Sequence, residues 1–365
     1  MTQTNTPADQ PATPTQPDAS CATEPTAEQG KGCCCGKGGQ GCAPGRCRCC
    51  KVAMVGLVVL LLLVVGAELF ARFYLGLGDP PLLMADEKIE YLYQPNQDGY
   101  RFGNHYRYNA YSMRSDDFPQ TKSDPNELRV MVLGDSVING GGHIDQADVP
   151  TTVMQQLLAE KLKRPVVVGN ISTGSWGPAN MLAYVEKYGY FEADVVVLVL
   201  SSHDAEDAPT FQPMVGVLRD YPDRKPWLAV GELFSRYGGV VRWWITDKLP
   251  ENTEVVAAPT EEDRQQTLKA LGELIEKSKA SGARVMVAQF FEVKELLGTP
   301  NQGYMDILGV SRSHQVPVVK LFENFRRAID EGKVVYRDQW IHPSAAGSRI
   351  IGETLAEEVA RRVLE

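Results

Sequence analysis

Two short stretches carry residues that could act on an ester or amide. Residues 128–140 read LRVMVLGDSVING, and residues 337–347 read RDQWIHPSAAG. A serine hydroxyl is a weak nucleophile at neutral pH and needs a base beside it. The chain has five histidines, His105, His143, His203, His314 and His342. His342 stands in the HPSAAG turn that opens a helix, and Asp338 precedes it. A serine that attacks, a histidine that takes its proton and a carboxylate that holds the imidazole are the parts of an acyl-transfer triad. Ser136 is therefore the candidate nucleophile, His342 the base and Asp338 its orienting acid. His314, in VSRSHQV, reads as a solvated residue at a helix end. The plain alternative for Ser136 is a polar residue in a tight Gly-Asp-Ser turn.

These residues need a scaffold that brings distant segments together. From residue 128 onward, apolar runs alternate with amphipathic segments. LRVMVL, PVVVGNI, ADVVVLVL, ARVMVAQF and PVVKL read as strands. PTTVMQQLLAEKLKR, GPANMLAYVEKYG, EEDRQQTLKALGELIEKSKASG and SAAGSRIIGETLAEEVARRVL read as helices, from their 3–4 spacing and the Gly or Ser at their ends. Continuous Val/Leu strands alternating with helices indicate a parallel sheet covered on both faces. In such a sheet the carboxyl ends of all strands meet at one edge. Four polar clusters then converge there: GDS, NISTGSWG, SSHD and DQWIHPSAAG.

Taken together, the clusters resemble the blocks of the SGNH, or GDSL, hydrolase family over about residues 128–365. GDSVING resembles the first block and supplies its serine, Ser136. DQWIHPSAAG resembles the last, with Asp338 and His342. The resemblance implies a three-layer α/β/α fold with a parallel sheet, SGNH-hydrolase-like and flavodoxin-like, and a serine-dependent ester hydrolase needing no cofactor or metal. It also implies an oxyanion hole, whose fixed donors are worth roughly 3–4 kcal/mol each. The backbone N–H of Ser136 is one donor. Gly174 resembles the second-block glycine, with Ser172 and Gly177 as neighbouring alternatives. The sequence departs from the pattern twice. His203 stands where the third block has an asparagine donor, and imidazole N–H can donate in its place. Asp338 and His342 are four residues apart rather than three.

The part before residue 128 is of another kind. Residues 1–51 are rich in Thr, Pro and Gln and then in Gly, Cys and basic residues, and are expected to be disordered. All eight cysteines lie there, from Cys21 to Cys50, in a spacing that fits no zinc site, so free thiols are expected. Residues 52–75 include VAMVGLVVLLLLVVGAELF, long enough and apolar enough for one transmembrane helix. Lys31, Lys37, Arg46, Arg48 and Lys51 precede it, which places the N-terminus in the cytoplasm and residues 76–365 outside it, beyond the cell membrane. Residues 76–127 read as an irregular linker and lead-in. Residues 205–260 interrupt the strand–helix rhythm with prolines, among them Pro209, Pro213, Pro222, Pro226 and Pro250, and with Trp227, Trp243 and Trp244. Those tryptophans could stack on a sugar, grip an acyl chain, pack a lid or touch the membrane.

A net charge of −9 argues against nucleic acid as a partner. The expected partner is an ester or an O-acylated glycan, reached from a single membrane helix. The leading expectation is a membrane-anchored serine esterase of the cell envelope. Acyl transfer to an exopolysaccharide or wall glycan would use the same residues. A non-catalytic SGNH-like binding module is the alternative outside enzymology.

Overall fold

A computed structural model describes residues 48–246, 259–296 and 298–365. The chain divides into two units, Met1–Leu61 and Leu62–Glu365. Helix α1 (Arg48–Leu69) continues into a π-helical turn over Phe70–Tyr74, and residues Lys51–Tyr74 are long and apolar enough to cross a membrane. The cysteines from Cys21 to Cys47 lie outside the described residues, as do the side chains of Cys49 and Cys50.

The larger unit is built on a five-stranded parallel sheet. Its strands are β5 (Leu128–Gly134), β6 (Val166–Ser172), β7 (Val195–Ser201), β8 (Arg284–Phe290) and β9 (Val318–Lys320), in the order β6-β5-β7-β8-β9. Every residue of β5 and β7 is buried. The alternation of the strand explains where each side chain goes. Leu128, Val130 and Val132 join Val195, Val197 and Val199 on one face. There they meet Met154 and Leu158 of α3 (Pro150–Leu162) and Ile351, Leu355 and Val359 of α10 (Ala345–Leu364). Met131, Leu133, Val196 and Leu198 face the other side. They meet Met181 and Val185 of α4 (Pro178–Tyr188) and Leu271, Leu274 and Ile275 of α6 (Glu261–Ala280). This is the three-layer α/β/α arrangement expected from the apolar runs.

The remaining helices are α2 (Ser136–Asn139), α5 (Ala229–Thr246), α7 (Val293–Leu296), α8 (Gln302–Ser313) and α9 (Phe322–Asp330). Caps fix the helix starts that matter to the sheet edge. Thr260 closes a capping box with Asp263 before α6, and the Ser344 hydroxyl accepts from Gly347 N at the start of α10.

The lead-in is more regular than its sequence suggests. It forms two antiparallel hairpins, β1 (Leu83–Asp86) with β2 (Glu90–Tyr93), and β3 (Gln97–Arg101) with β4 (Asn104–Tyr108). Tyr91, Tyr93, Tyr106 and Tyr108 are buried in the core on the α4–α6 side. The β3–β4 turn is only Phe102-Gly103, and both residues have positive φ, 51° and 81°. That geometry matches the twist of a two-residue hairpin but is costly for phenylalanine. Phe102 stacks on His143 at 4.8 Å and lies under the Arg101 guanidinium, which holds it there.

The interruption at 205–260 holds α5. Trp227, just before it, is 97% exposed. The side chains of Trp243 and Trp244, and residues 247–258, lie outside the described part.

Candidate active site

The order of the sheet locates the site. β5 is followed by β6 on one side and then by β7 on the other, so the chain changes direction beside the carboxyl end of β5. Open α/β sheets bind ligands at such a point. Ser136 begins α2 two residues past Gly134, the end of β5, and is half-buried. Asp135 caps α2, with its Oδ1 accepting from Val137 N at 2.9 Å. Asn139 Nδ2 donates to Ser172 O at 2.8 Å, and Asn170 Nδ2 donates to Ile138 O at 3.0 Å. Two asparagines therefore lock the serine-bearing turn to β6.

Gly134 pairs with Ser172 in the ladder, so Gly174 is as far past the end of β6 as Ser136 is past the end of β5. The Gly174 carbonyl accepts from Tyr91 OH at 2.8 Å, and nothing within 4 Å would meet a side chain placed on it. The two neighbouring candidates are engaged elsewhere. Ser172 Oγ donates to Asn170 Oδ1, and Gly177 N donates to Asn180 Oδ1 at 3.1 Å.

Asp338 and His342 meet directly. His342 Nδ1 and Asp338 Oδ2 are 2.5 Å apart. Asp338 Oδ1 accepts from the backbone N–H groups of Trp340, Ile341 and His342 at 3.0, 3.1 and 3.3 Å. The four-residue step is thus a turn wrapped around its own carboxylate. Arg337 N donates to His342 O, and Tyr336 bridges to Pro343, which closes the loop's neck. Val293 N donates to Trp340 O and Tyr336 OH to Phe291 O, which ties the loop to the chain leaving β8. Partial burial pushes the Asp338 carboxyl up, but the His342 and backbone hydrogen bonds outweigh it and bring the pKa down to about 2. No hydrogen bond joins Ser136 Oγ to His342 among the described residues; catalytic bonds are often long before substrate binds.

His203 follows β7 in a 3-10 turn, Ser202–Ala205. The sequence reading cast it as an oxyanion donor, but both ring nitrogens face carboxylates. Nε2 lies 3.3 Å from Asp135 Oδ2, 3.6 Å from Asp204 Oδ1 and 3.6 Å from Asp207 Oδ2. Nδ1 lies 3.7 Å from Glu292 Oε1. Burial disfavours charge on the ring, but Asp204, Asp135 and Glu292 outweigh it and raise the pKa well above the usual imidazole range. Burial together with repulsion from Asp135 likewise pushes Asp204 well up, and burial raises Asp207 to about 6. Asp135, His203 and Asp204 each offer a donor atom within 4.8 Å of the others, the spacing of a metal site.

The turn that carries His203 is gripped from two sides. A methyl group on Gly177 would run into Asp207 O, and one on Gly303 into Ser202 O. Beyond the loop of Asp338, His143 stacks on Phe102. Burial, then the charges of Arg337, Arg101, Arg236 and His342, lower its pKa to about 4.

Sequence reasoning did not single out Asp135, Asp207 or Glu292. Their roles depend on three loops meeting around one imidazole, and nothing in the local sequence announces that. The one signal was the histidine in SSHD, whose charge requires acids nearby.

No protein-family model and no curated protein matches the sequence. Solved structures do. A lipolytic GDSL-family protein from Veillonella parvula matches at 11% identity and TM-score 0.39, covering 63% of this chain and 97% of that one. A lipase/acylhydrolase from Enterococcus faecalis matches at 15% and 0.39, covering 64% and 96%. An acetylxylan esterase from Geobacillus stearothermophilus matches at 12% and 0.42, covering 64% and 94%.

Proposed function

We propose that the chain is a membrane-anchored serine esterase of the SGNH type. The observation that carries the reading is the bonded Asp338–His342 pair, fastened to the same sheet edge at which Ser136 follows β5. In this reading Ser136 Oγ attacks the ester carbonyl carbon as His342 Nε2 takes its proton. Asp338 holds Nδ1–H and stabilises the imidazolium that forms. The backbone N–H groups of Ser136 and Gly174 receive the negative oxygen. His342 then protonates the leaving alcohol, and water attacks the acyl-serine to release the acid. His203 serves this site from behind the nucleophile, with Nε2 turned to Asp135 and Nδ1 to Glu292.

The anchor is the apolar helix over residues 51–74, and the preceding lysines and arginines support an orientation with residues 76–365 outside the cytoplasm. A substrate outside the cytoplasm fits O-acyl groups on a glycan. Protease added to spheroplasts should then digest the C-terminal part and spare an N-terminal tag.

The activity test uses the full chain in micelles. It should hydrolyse p-nitrophenyl acetate and release acetate from acetylated oligosaccharides, and a fluorophosphonate should label Ser136. Full labelling and full rate in Ser136→Ala would overturn the reading. With an oligosaccharide acceptor present, mass spectrometry separates hydrolysis from acyl transfer. A folded chain silent to the probe would favour a binding module.

A further inference from the structure

Helix α5 begins on a small apolar cluster. Ala229 is fully buried with Ala71 and Leu77, and Val230, Leu233, Leu75 and Phe102 pack on that cluster. Around it, Trp227 and Leu228 just before the helix are 97% and 52% exposed, and Phe234 and Tyr237 on it 70% and 52%. Together they give the first turns of α5 an exposed apolar side. A soluble surface rarely gathers four large apolar side chains without a use for them. Arg224 and Lys225 precede them, both exposed.

What covers this side follows from where α5 starts. Glu68 Oε1 and Oε2 accept from Ala229 N and Val230 N at 2.9 and 3.0 Å. Arg72 in turn holds Glu68. Gly78 N donates to Glu232 Oε2 at 2.8 Å, and Arg101 pairs with the same buried carboxylate. The first turn of α5 is therefore clasped to residues 68–78, the end of the apolar helix. Phe70, Phe73 and Tyr74 are exposed there as well. Aromatic side chains with a polar tip and neighbouring basic residues are what the headgroup level of a bilayer accepts.

We propose that the exposed side of α5, through Trp227, Leu228, Phe234 and Tyr237, lies on the bilayer surface as a second membrane contact beside the anchor. This rests on the reading of residues 51–74 as a membrane span. The contact would set the domain's attitude and not only its distance from the membrane, because two points separated along the surface resist tilting.

The test places benzoylphenylalanine singly at Leu60, Trp227, Phe234 and Val334 in the full chain, reconstituted in nanodiscs with some anionic lipid. Leu60 lies within the span, and Val334 is an exposed site in the segment between α9 and the Asp338 loop. Illumination should give phospholipid adducts at Leu60, Trp227 and Phe234 and none at Val334. Adducts at Leu60 alone would overturn the second contact while leaving the anchor intact. Loss at Leu60 as well would overturn the anchor itself. Crosslinks from Trp227 to this chain's own residues in place of lipid would mean that the chain covers the face, and would also overturn the proposal. A double variant, Trp227→Glu with Phe234→Glu, should abolish the adduct from a probe at Tyr237 and keep the one at Leu60; an unchanged Tyr237 adduct counts against it.

Discussion

Asp338 holds His342 with one carboxylate oxygen and its own turn with the other. Oδ2 meets Nδ1 at 2.5 Å while Oδ1 collects three backbone N–H groups. Asp338→Asn keeps an acceptor for the turn and loses the charge. It should lower kcat by about 10²–10⁴-fold with little change in KM. An Asp338→Asn variant that keeps the parent's kcat at pH 7 would sink this role.

Ser136→Ala should reduce ester hydrolysis by about 10³-fold or more, the scale on which a lost nucleophile acts. Ser136 is half-buried, and the turn is held by its backbone carbonyl, which accepts from Gly140 N, and by Asp135, Asn139 and Asn170, not by its hydroxyl. The melting temperature should therefore move little. A variant that unfolds would show that Ser136 has a structural duty instead.

His203 has a folded pKa above its unfolded value of about 6.5. Its stabilising effect is then full below that unfolded value and fades as pH rises toward the folded one. His203→Asn removes the titrating imidazole from among these acids. It should melt well below the parent near pH 6, and the gap should narrow on going alkaline. Equal melting curves at pH 6 would rule out the ion cluster as drawn.

Glu232 is the acidic centre of the clasp at α5. Burial raises its carboxyl, but Arg101, Arg236 and Gly78 N outweigh that and lower the pKa to about 2. The clasp therefore stabilises above about pH 4.5 and is lost as pH falls toward 2. Glu232→Gln should cost on the order of 2 kcal/mol near pH 7, because it leaves the buried Arg101 guanidinium without its counter-charge. The gap between the two proteins in thermal unfolding should shrink steadily as pH falls from about 4.5 toward 2. A gap of the same size at both ends of that range would mean packing, not charge, is responsible.

The sheet was legible because its strands are uninterrupted Val/Leu runs, and Val195–Leu200 has no other comfortable place than a buried centre. The Asp338–His342 pair was legible as two residue types before a Ser-capped helix, while the irregular spacing made sense only once the turn around Asp338 Oδ1 was visible. The hairpins of the lead-in were missed for a physical reason. The turn of the second puts Phe102 at positive φ, where sequence signals call for Asn or Gly, and the strands are only four or five residues long, so the period of Tyr91 and Tyr93 or of Tyr106 and Tyr108 is too short a signal on its own. The acid cluster was illegible because Asp135, Asp207 and Glu292 come from separate strand ends and acquire meaning only around His203.

Gly177 and Gly303 press on the carbonyls of Asp207, two residues past the turn that carries His203, and of Ser202, its first residue. The path of that segment is therefore interlocked, and its side chains are held as well: Ser202 Oγ donates to Glu295 Oε1 and Ser201 N to Asp204 Oδ2, both at 2.6 Å. The turn is a socket of fixed shape, cut to seat one imidazole among its acids.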